Sequence, residues 1–179
     1  TGMISSPTMN KNDALLEVRL DTLAYGGDAL GRLEDGRVVF VPFGLPGERV
    51  RVRVLSQRRG HLRAELLEVL EPSPGRIAPR CRHFGACGGC HYQHLSYPAQ
   101  LAAKTAILRD QLVRLGKIED PPVQEAVASS QEWNYRNHVQ FHLDRNGKPG
   151  FMAARSETVL PIRECHLPEG PLNDLWPAL

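Results

Sequence analysis

One stretch constrains this chain more than any other: Cys81-Arg82-His83-Phe84-Gly85-Ala86-Cys87-Gly88-Gly89-Cys90. It carries three of the four cysteines, with five residues between the first two and two between the second two. The fourth, Cys165, lies far downstream in Ile162-Arg163-Glu164-Cys165-His166. Three thiols in one tight loop plus a distant one are how a chain gives four soft ligands to one metal centre. Gly88-Gly89 lets the backbone close around such a centre without side-chain clash.

Four readings of these cysteines compete. An iron–sulfur cluster fits the thiol count, although the five-two spacing is not that of the bacterial or plant-type ferredoxins. Structural zinc would be served by four thiolates, or by three and an imidazole from His83, His91, His94 or His166; its ligands more usually come as two close pairs. A disulfide is disfavoured because nothing marks the chain for secretion. Unrelated buried cysteines would leave the clustering around Gly-Gly unexplained.

At 179 residues, 41% hydrophobic and 23% charged, the chain has the composition of a soluble globular protein of one large or two small domains. No apolar run approaches the roughly 20 residues that span a bilayer, and no signal peptide is visible. A cytoplasmic location with no membrane partner is the expectation. Residues 1–13 are expected to be a disordered tail.

Residues 14–71 read as short strands broken by glycine turns. Leu16, Val18 and Leu20 alternate with Glu17 and Arg19, the period-two pattern of a half-buried strand. Tyr25-Gly26-Gly27-Asp28 is a turn into a strand over 29–33, and Glu34-Asp35-Gly36 joins that to a strand over 37–41, a hairpin signal. Residues 48–56 form the clearest strand, Val50, Val52 and Val54 on one face and Arg49, Arg51 and Arg53 on the other. A Gln57–Gly60 turn leads to a last strand across Leu62, Ala64 and Leu66. Five short antiparallel strands predict a small closed or nearly closed OB-like barrel.

Between Arg49 and Arg63 stand Arg49, Arg51, Arg53, Arg58, Arg59 and Arg63, with no acid among them. A solvated strand face is the ordinary reading of such charges. The recurrence of one sign on one face and its adjoining turn points instead to a phosphate track for RNA or DNA.

These residues also carry a resemblance. Residues 21–32, Asp-Thr-Leu-Ala-Tyr-Gly-Gly-Asp-Ala-Leu-Gly-Arg, followed by Val39-Phe40-Val41-Pro42 and Pro46-Gly47-Glu48, resemble a TRAM domain, an RNA-binding barrel. The family in which this domain precedes a five-two cysteine loop is the uracil-5 RNA methyltransferases, and the cluster-bearing ribosomal RNA branch is the nearer match.

Residues 72–179 open on a Pro-Ser-Pro-Gly linker. Ser96 as N-cap and Pro98 in the first turn predict a helix over 97–116, with Leu101, Leu108, Leu112 and Leu115 on one face and Gly116 as its end. That face needs a partner, and the rest of the protein is the candidate. A strand is expected from Glu132 to Leu143, with Val139, Phe141 and Leu143 buried and Arg136, His138, Gln140 and His142 on the polar side. A turn at 145–148 and return strands at 150–154 and 158–162 complete a small antiparallel sheet whose end brings Cys165 back to the cysteine loop. A metal centre would substitute for a core this sheet could hardly build alone. The fold class is therefore mainly β with one long helix, α+β overall.

The resemblance continues here. Cys81, Cys87 and Cys90 match the family's cluster loop, Trp133, Tyr135, Arg136 and Asn137 its Trp-x-Tyr-Arg-Asn segment, and Cys165 its last ligand. It implies that all four cysteines hold a 4Fe–4S cluster and that Arg136 and Asn137 lie near bound RNA, expected to be ribosomal. For Trp133 and Tyr135, core packing and base stacking remain open. Methyl transfer to uracil C5 needs a thiolate adding to C6, a base taking the C5 proton and S-adenosylmethionine beside the ring. The family places these in a Rossmann-like C-terminal domain, and no glycine-rich strand-to-helix loop for the cofactor occurs here. The expectation is an RNA-binding, cluster-bearing portion that is inert alone and partners its own methyltransferase domain. The rival is a non-enzymatic RNA-binding adaptor with a structural zinc module.

Overall fold

A computed structural model describes residues 14–175; the tail expected at 1–13 and the last residues, 176–179, lie outside the described residues. The chain divides into two compact units, 1–74 and 75–179.

The first unit is a closed barrel of β1 (Leu15–Leu23), β2 (Asp28–Arg32), β3 (Val38–Pro42), β4 (Arg49–Arg58) and β5 (His61–Glu71), in the order β1-β2-β3-β5-β4. The alternation in the sequence decides what goes inside: Val18, Leu20, Val50, Val52 and Val54 are buried, joined by Val39, Val41, Leu62 and Ala64. Closure removes the unpaired edges an open five-stranded sheet would expose. One expectation needs correction. The ladder is not antiparallel throughout, because β3 and β5 pair in parallel, Val39 opposite Leu62. This long-range pairing seals the barrel and has no local signature.

Two residues hold the seams. Glu48, expected as a strand residue, is wholly buried before β4, and its carboxylate accepts the backbone N–H of Leu45 (2.9 Å) and of Ser73 (3.2 Å). Gly31 lies where β2 crosses β1. A Cβ there would stand 2.7 Å from Val18 Cγ2 and closer still to the Arg19 carbonyl oxygen. Gly31→Ala is expected to cost about 1–3 kcal/mol through this overpacking, read as a lower denaturant midpoint.

The second unit contains α1 (Tyr97–Arg114), β6 (His142–Leu143), β7 (Pro149–Met152), β8 (Val159–Pro161) and a one-turn helix α2 (Gly170–Asp174). Helix α1 falls within the span expected from sequence, with two differences at its ends. Ser96 occupies the N-cap without a side-chain capping bond, and the left-handed residue past the C-terminus is Lys117 (φ 56°), not Gly116. Its leucine face buries no residue; Leu108 and Leu115 stand exposed. Residues 123–129 run alongside instead, tied by Arg109 Nη2 to the Val123 carbonyl (2.8 Å), Ala126 N–H to Thr105 Oγ1 (3.0 Å) and Ser129 N–H to the Tyr97 hydroxyl (2.7 Å).

The sheet β6-β7-β8 is antiparallel, with Asp144 accepting the N–H of Asn146 and of Lys148 across the β6–β7 turn. Its first strand is far shorter than the twelve residues expected. Asn134 is left-handed (φ 55°), and the N–H groups of Asn134 and Arg136 bond the carbonyls of His166 and Leu167, so this backbone leaves the sheet to pair with the segment after Cys165. The proposed buried side of that strand is also revised, since Leu143 is exposed. The buried aliphatic residues of the unit are few, principally Leu95, Ile162 and Leu167.

Candidate metal centre and nucleic-acid interface

The cysteine loop is fixed by backbone bonds to the small sheet. Gly88 N–H donates to the Met152 carbonyl (2.9 Å) and Ala154 N–H to the Ala86 carbonyl (2.8 Å). A Cβ on Gly88 would lie 3.0 Å from the Met152 oxygen, so glycine permits this approach. From the other side, the Arg82 guanidinium pairs with Glu164 (3.1 Å) and Arg163 N–H donates to His83 Nε2 (3.3 Å), drawing the Cys165 segment against the loop.

The result is that Cys81, Cys87, Cys90 and Cys165 line one cavity of about 340 Å3, as reduced, half-buried thiols. The three sulfurs of the loop each accept an N–H. His83 N–H reaches Cys81 Sγ (3.4 Å), Gly89 N–H reaches Cys87 Sγ (3.4 Å) and Gln93 Nε2 reaches Cys90 Sγ (3.2 Å). Burial pushes the Cys90 and Cys165 thiols up, and the other cysteines around the cavity push the same way; the Gln93 and Leu167 donors oppose this, with Arg136 helping at Cys90. Thiolates crowded into one half-buried site repel each other unless a cation sits among them.

Among the described residues, no group of three or more His, Cys, Asp or Glu side chains is drawn together as a site for a metal ion. The histidines weighed as zinc ligands have separate surroundings. His83 and His166 line the cavity, His91 meets Tyr92 edge-on, and His94 is buried against the Phe84 ring at 5.3 Å.

Arg136, expected near nucleic acid, forms part of the cavity wall, while Asn137 is exposed. Gln140 and His142, expected on the polar side of a strand, are exposed and also line the cavity. Trp133 is half-buried, with the Arg80 guanidinium 5.2 Å above its ring and His166 edge-on at 6.2 Å; Tyr135 is half-exposed beside it.

On the barrel, the arginine stripe proves to be one side of a charge ladder. Strand register sets Arg51 between Glu17 and Glu68, Arg53 opposite Glu65 and Arg49 opposite Glu71. Arg49 binds Glu71 (2.8 Å) and Glu17 (2.9 Å), Arg51 binds Glu17 (3.0 Å) and Glu68, and Arg53 binds Glu65. The window 49–63 lacks acids, but its neighbouring strands supply them. Arg58 and Arg59, at the β4–β5 turn, are exposed and make no ion pair among the described residues; Arg63 lies 3.9 Å from Asp28. Sequence reasoning missed a cluster beside them, in which Arg63 sits 5.8 Å from the Phe40 ring centre and His61 meets that ring edge-on at 5.8 Å. Alternation in β3 and β5 puts Phe40, His61 and Arg63 on the outer face, a signal that was available.

Residues 14–67 match the TRAM domain family. An uncharacterized RNA methyltransferase of Aquifex aeolicus is 38% identical over 167 residues, 93% of this chain and 39% of its own length. Another, from Nitratidesulfovibrio vulgaris, is 45% identical over 160 residues, 87% of this chain and 34% of its own. The 23S rRNA (uracil(1939)-C(5))-methyltransferase RlmD of a Shewanella species is 34% identical over 177 residues, 96% of this chain and 39% of its own. The chain thus spans little more than a third of these relatives. In fold it is similar to the Pyrococcus abyssi tRNA (uracil-54, C5)-methyltransferase crystallised with S-adenosyl-L-homocysteine, with a TM-score of 0.57, 24% identity, and coverage of 88% of this chain and 34% of that one. Residues 14–67 thus match the TRAM domain family, and the chain as a whole is similar to a portion of proteins named as RNA methyltransferases, among them a uracil-C5 enzyme of 23S rRNA.

Proposed function

We propose that this chain is the RNA-binding, 4Fe–4S-holding portion of an S-adenosylmethionine-dependent RNA uracil-C5 methyltransferase, acting on ribosomal RNA. The observation that carries the metal reading is the convergence of four thiols, from two distant segments, on one cavity, with an N–H aimed at each of the three sulfurs of the loop. Four half-buried thiols and a cavity of about 340 Å3 between them are a donor set that a 4Fe–4S cluster takes. Cys81, Cys87, Cys90 and Cys165 would hold the cluster, and hydrogen bonds to sulfur are among the features that tune such centres. When bound, the cluster would supply a covalent cross-link between the cysteine loop and the Cys165 segment. The methyl donor and the reacting thiolate would belong to a methyltransferase domain in the whole protein. An adaptor carrying a zinc module is the weaker reading, because the relatives are RNA methyltransferases.

The barrel would meet RNA on the β2–β3 side rather than on the arginine–glutamate ladder. OB-like barrels present that face, flanked by the β1–β2 and β4–β5 loops, to oligonucleotides. Here it offers Phe40 with Arg63 and His61, the exposed Tyr25 in one loop, and Arg58 and Arg59 in the other. Arg49, Arg51 and Arg53 already have carboxylate partners and so add less to a phosphate track. Arg136 and Asn137 remain proposed RNA neighbours in the second unit.

The test is the salt dependence of RNA binding. Replacing Arg58 and Arg59 together with alanine is expected to flatten the slope of log affinity against log salt by about 0.7–0.9 for each lost contact, and Arg51→Ala to change it little. An equal change for Arg51→Ala would return the ladder to the interface. Salt-independent, weak binding by the wild type would sink the RNA-binding reading.

A further inference from the structure

We propose that Gln93 is a positioning residue for the metal centre, spacing Cys81 from Cys90 and tuning the Cys90 sulfur; this rests on the cluster reading above. Gln93 is buried, and both ends of its amide are engaged by the cysteine loop. Its Oε1 accepts the Cys81 backbone N–H at 3.0 Å, and its Nε2 donates to Cys90 Sγ at 3.2 Å. The backbone N–H can only donate, so the oxygen must face Cys81 and the NH2 must face the sulfur. The amide orientation is thereby fixed by its partners rather than chosen.

The donor to Cys90 also differs in kind from the others. Cys81 and Cys87 each accept an N–H from the main chain two residues on, at His83 and Gly89. Cys90 receives its donor from a side chain. It is the one N–H···S bond of the three, among the described residues, that a point substitution can delete without touching the backbone. The platform beneath it is rigid: Leu95 N–H bonds the Tyr92 carbonyl at 2.9 Å, Ile77 N–H bonds the His94 carbonyl at 3.0 Å, and His94 and Leu95 are buried.

A hydrogen bond to a ligating sulfur stabilises the more negative, reduced cluster. Removing it should lower the reduction potential, and removing the Cys81 tie should loosen the loop. Gln93→Met keeps the approximate volume and deletes both bonds. Gln93→Glu keeps an oxygen for the Cys81 N–H but puts a carboxylate oxygen against the sulfur.

The experiment uses the full 179-residue chain purified without oxygen, with two readouts: the midpoint potential by spectroelectrochemical titration, and the rate of iron loss to a chelator. Both variants are expected to shift the potential to more negative values, Gln93→Glu furthest. Gln93→Met should lose iron several-fold faster than wild type, with Gln93→Glu between. An iron-loaded wild type whose two variants match it in potential and in chelation rate would overturn this proposal alone. A wild type without iron would overturn the cluster reading and this proposal with it. Should Gln93→Met fail to fold, a Gln93→Glu protein with unchanged potential still contradicts the tuning role.

Discussion

Cys165→Ala is expected to abolish stable cluster binding and unfold the second unit while leaving the barrel folded. The reason is the poverty of that unit's interior. Its buried aliphatic residues are principally Leu95, Ile162 and Leu167, and its strands β6, β7 and β8 have two, four and three residues. Full burial of such side chains contributes about 1.5–3 kcal/mol each, which does not offset ordering a hundred residues. A bound metal centre can contribute on the order of 10 kcal/mol, comparable to the whole stability of a domain. Cys165 is the only donor outside the loop, so its loss detaches the 162–168 segment from the centre. Amide exchange should show protection lost across 142–167 and kept across 15–71. Retained protection in both, with iron absent, would mean that the centre is not what holds the unit together.

Glu48→Ala is expected to produce the largest single loss of stability in the barrel. Its carboxylate is wholly buried and satisfies the Leu45 and Ser73 N–H groups. The backbone around it is equally committed, with Leu20 N–H on the Glu48 carbonyl (2.9 Å) and Gly47 N–H on the Leu20 carbonyl (2.8 Å). Alanine would leave the buried Leu45 N–H without its acceptor at about 1–3 kcal/mol and the part-buried Ser73 N–H without its own at less, beside a cavity. At about 4–8 °C per kcal/mol for a domain of this size, melting should fall by at least about 10 °C. Glu48→Gln keeps an acceptor oxygen and should lose roughly half as much. A Glu48→Ala barrel melting within a few degrees of wild type would show that the two N–H groups find other partners.

The barrel was legible because its signal is local. Alternation in Leu16–Leu20 and Val50–Val54 fixes which faces turn inward, and glycine-rich turns mark where strands end. What the sequence did not reveal depends on pairing between distant segments. The parallel β3–β5 ladder and the Glu17, Glu65, Glu68 and Glu71 partners of the arginines appear only once register is set, so charge counted along one strand overstated the free positive face. Helix α1 was read from its leucines and Pro98, yet its leucine face buries nothing here, since amphipathic spacing reports a capacity for burial rather than a partner.

In the second unit, the four cysteines were legible by type and spacing, and the fold brings all four to one cavity. The strand expected from Glu132 failed because alternating residues there compete with a left-handed Asn134 and with backbone acceptors at His166 and Leu167. Gln93 was passed over because a lone glutamine has no spacing rule. Its importance comes from two contacts, to Cys81 and to Cys90, that only the folded loop creates.

The most direct test of the central claim is iron and acid-labile sulfide analysis, with Mössbauer spectroscopy, on wild-type chain purified without oxygen. The four-thiol centre predicts about four iron and four sulfide per chain, in an environment of tetrahedral sulfur coordination. A folded protein with four free thiols and no iron, or with one zinc in its place, would contradict it.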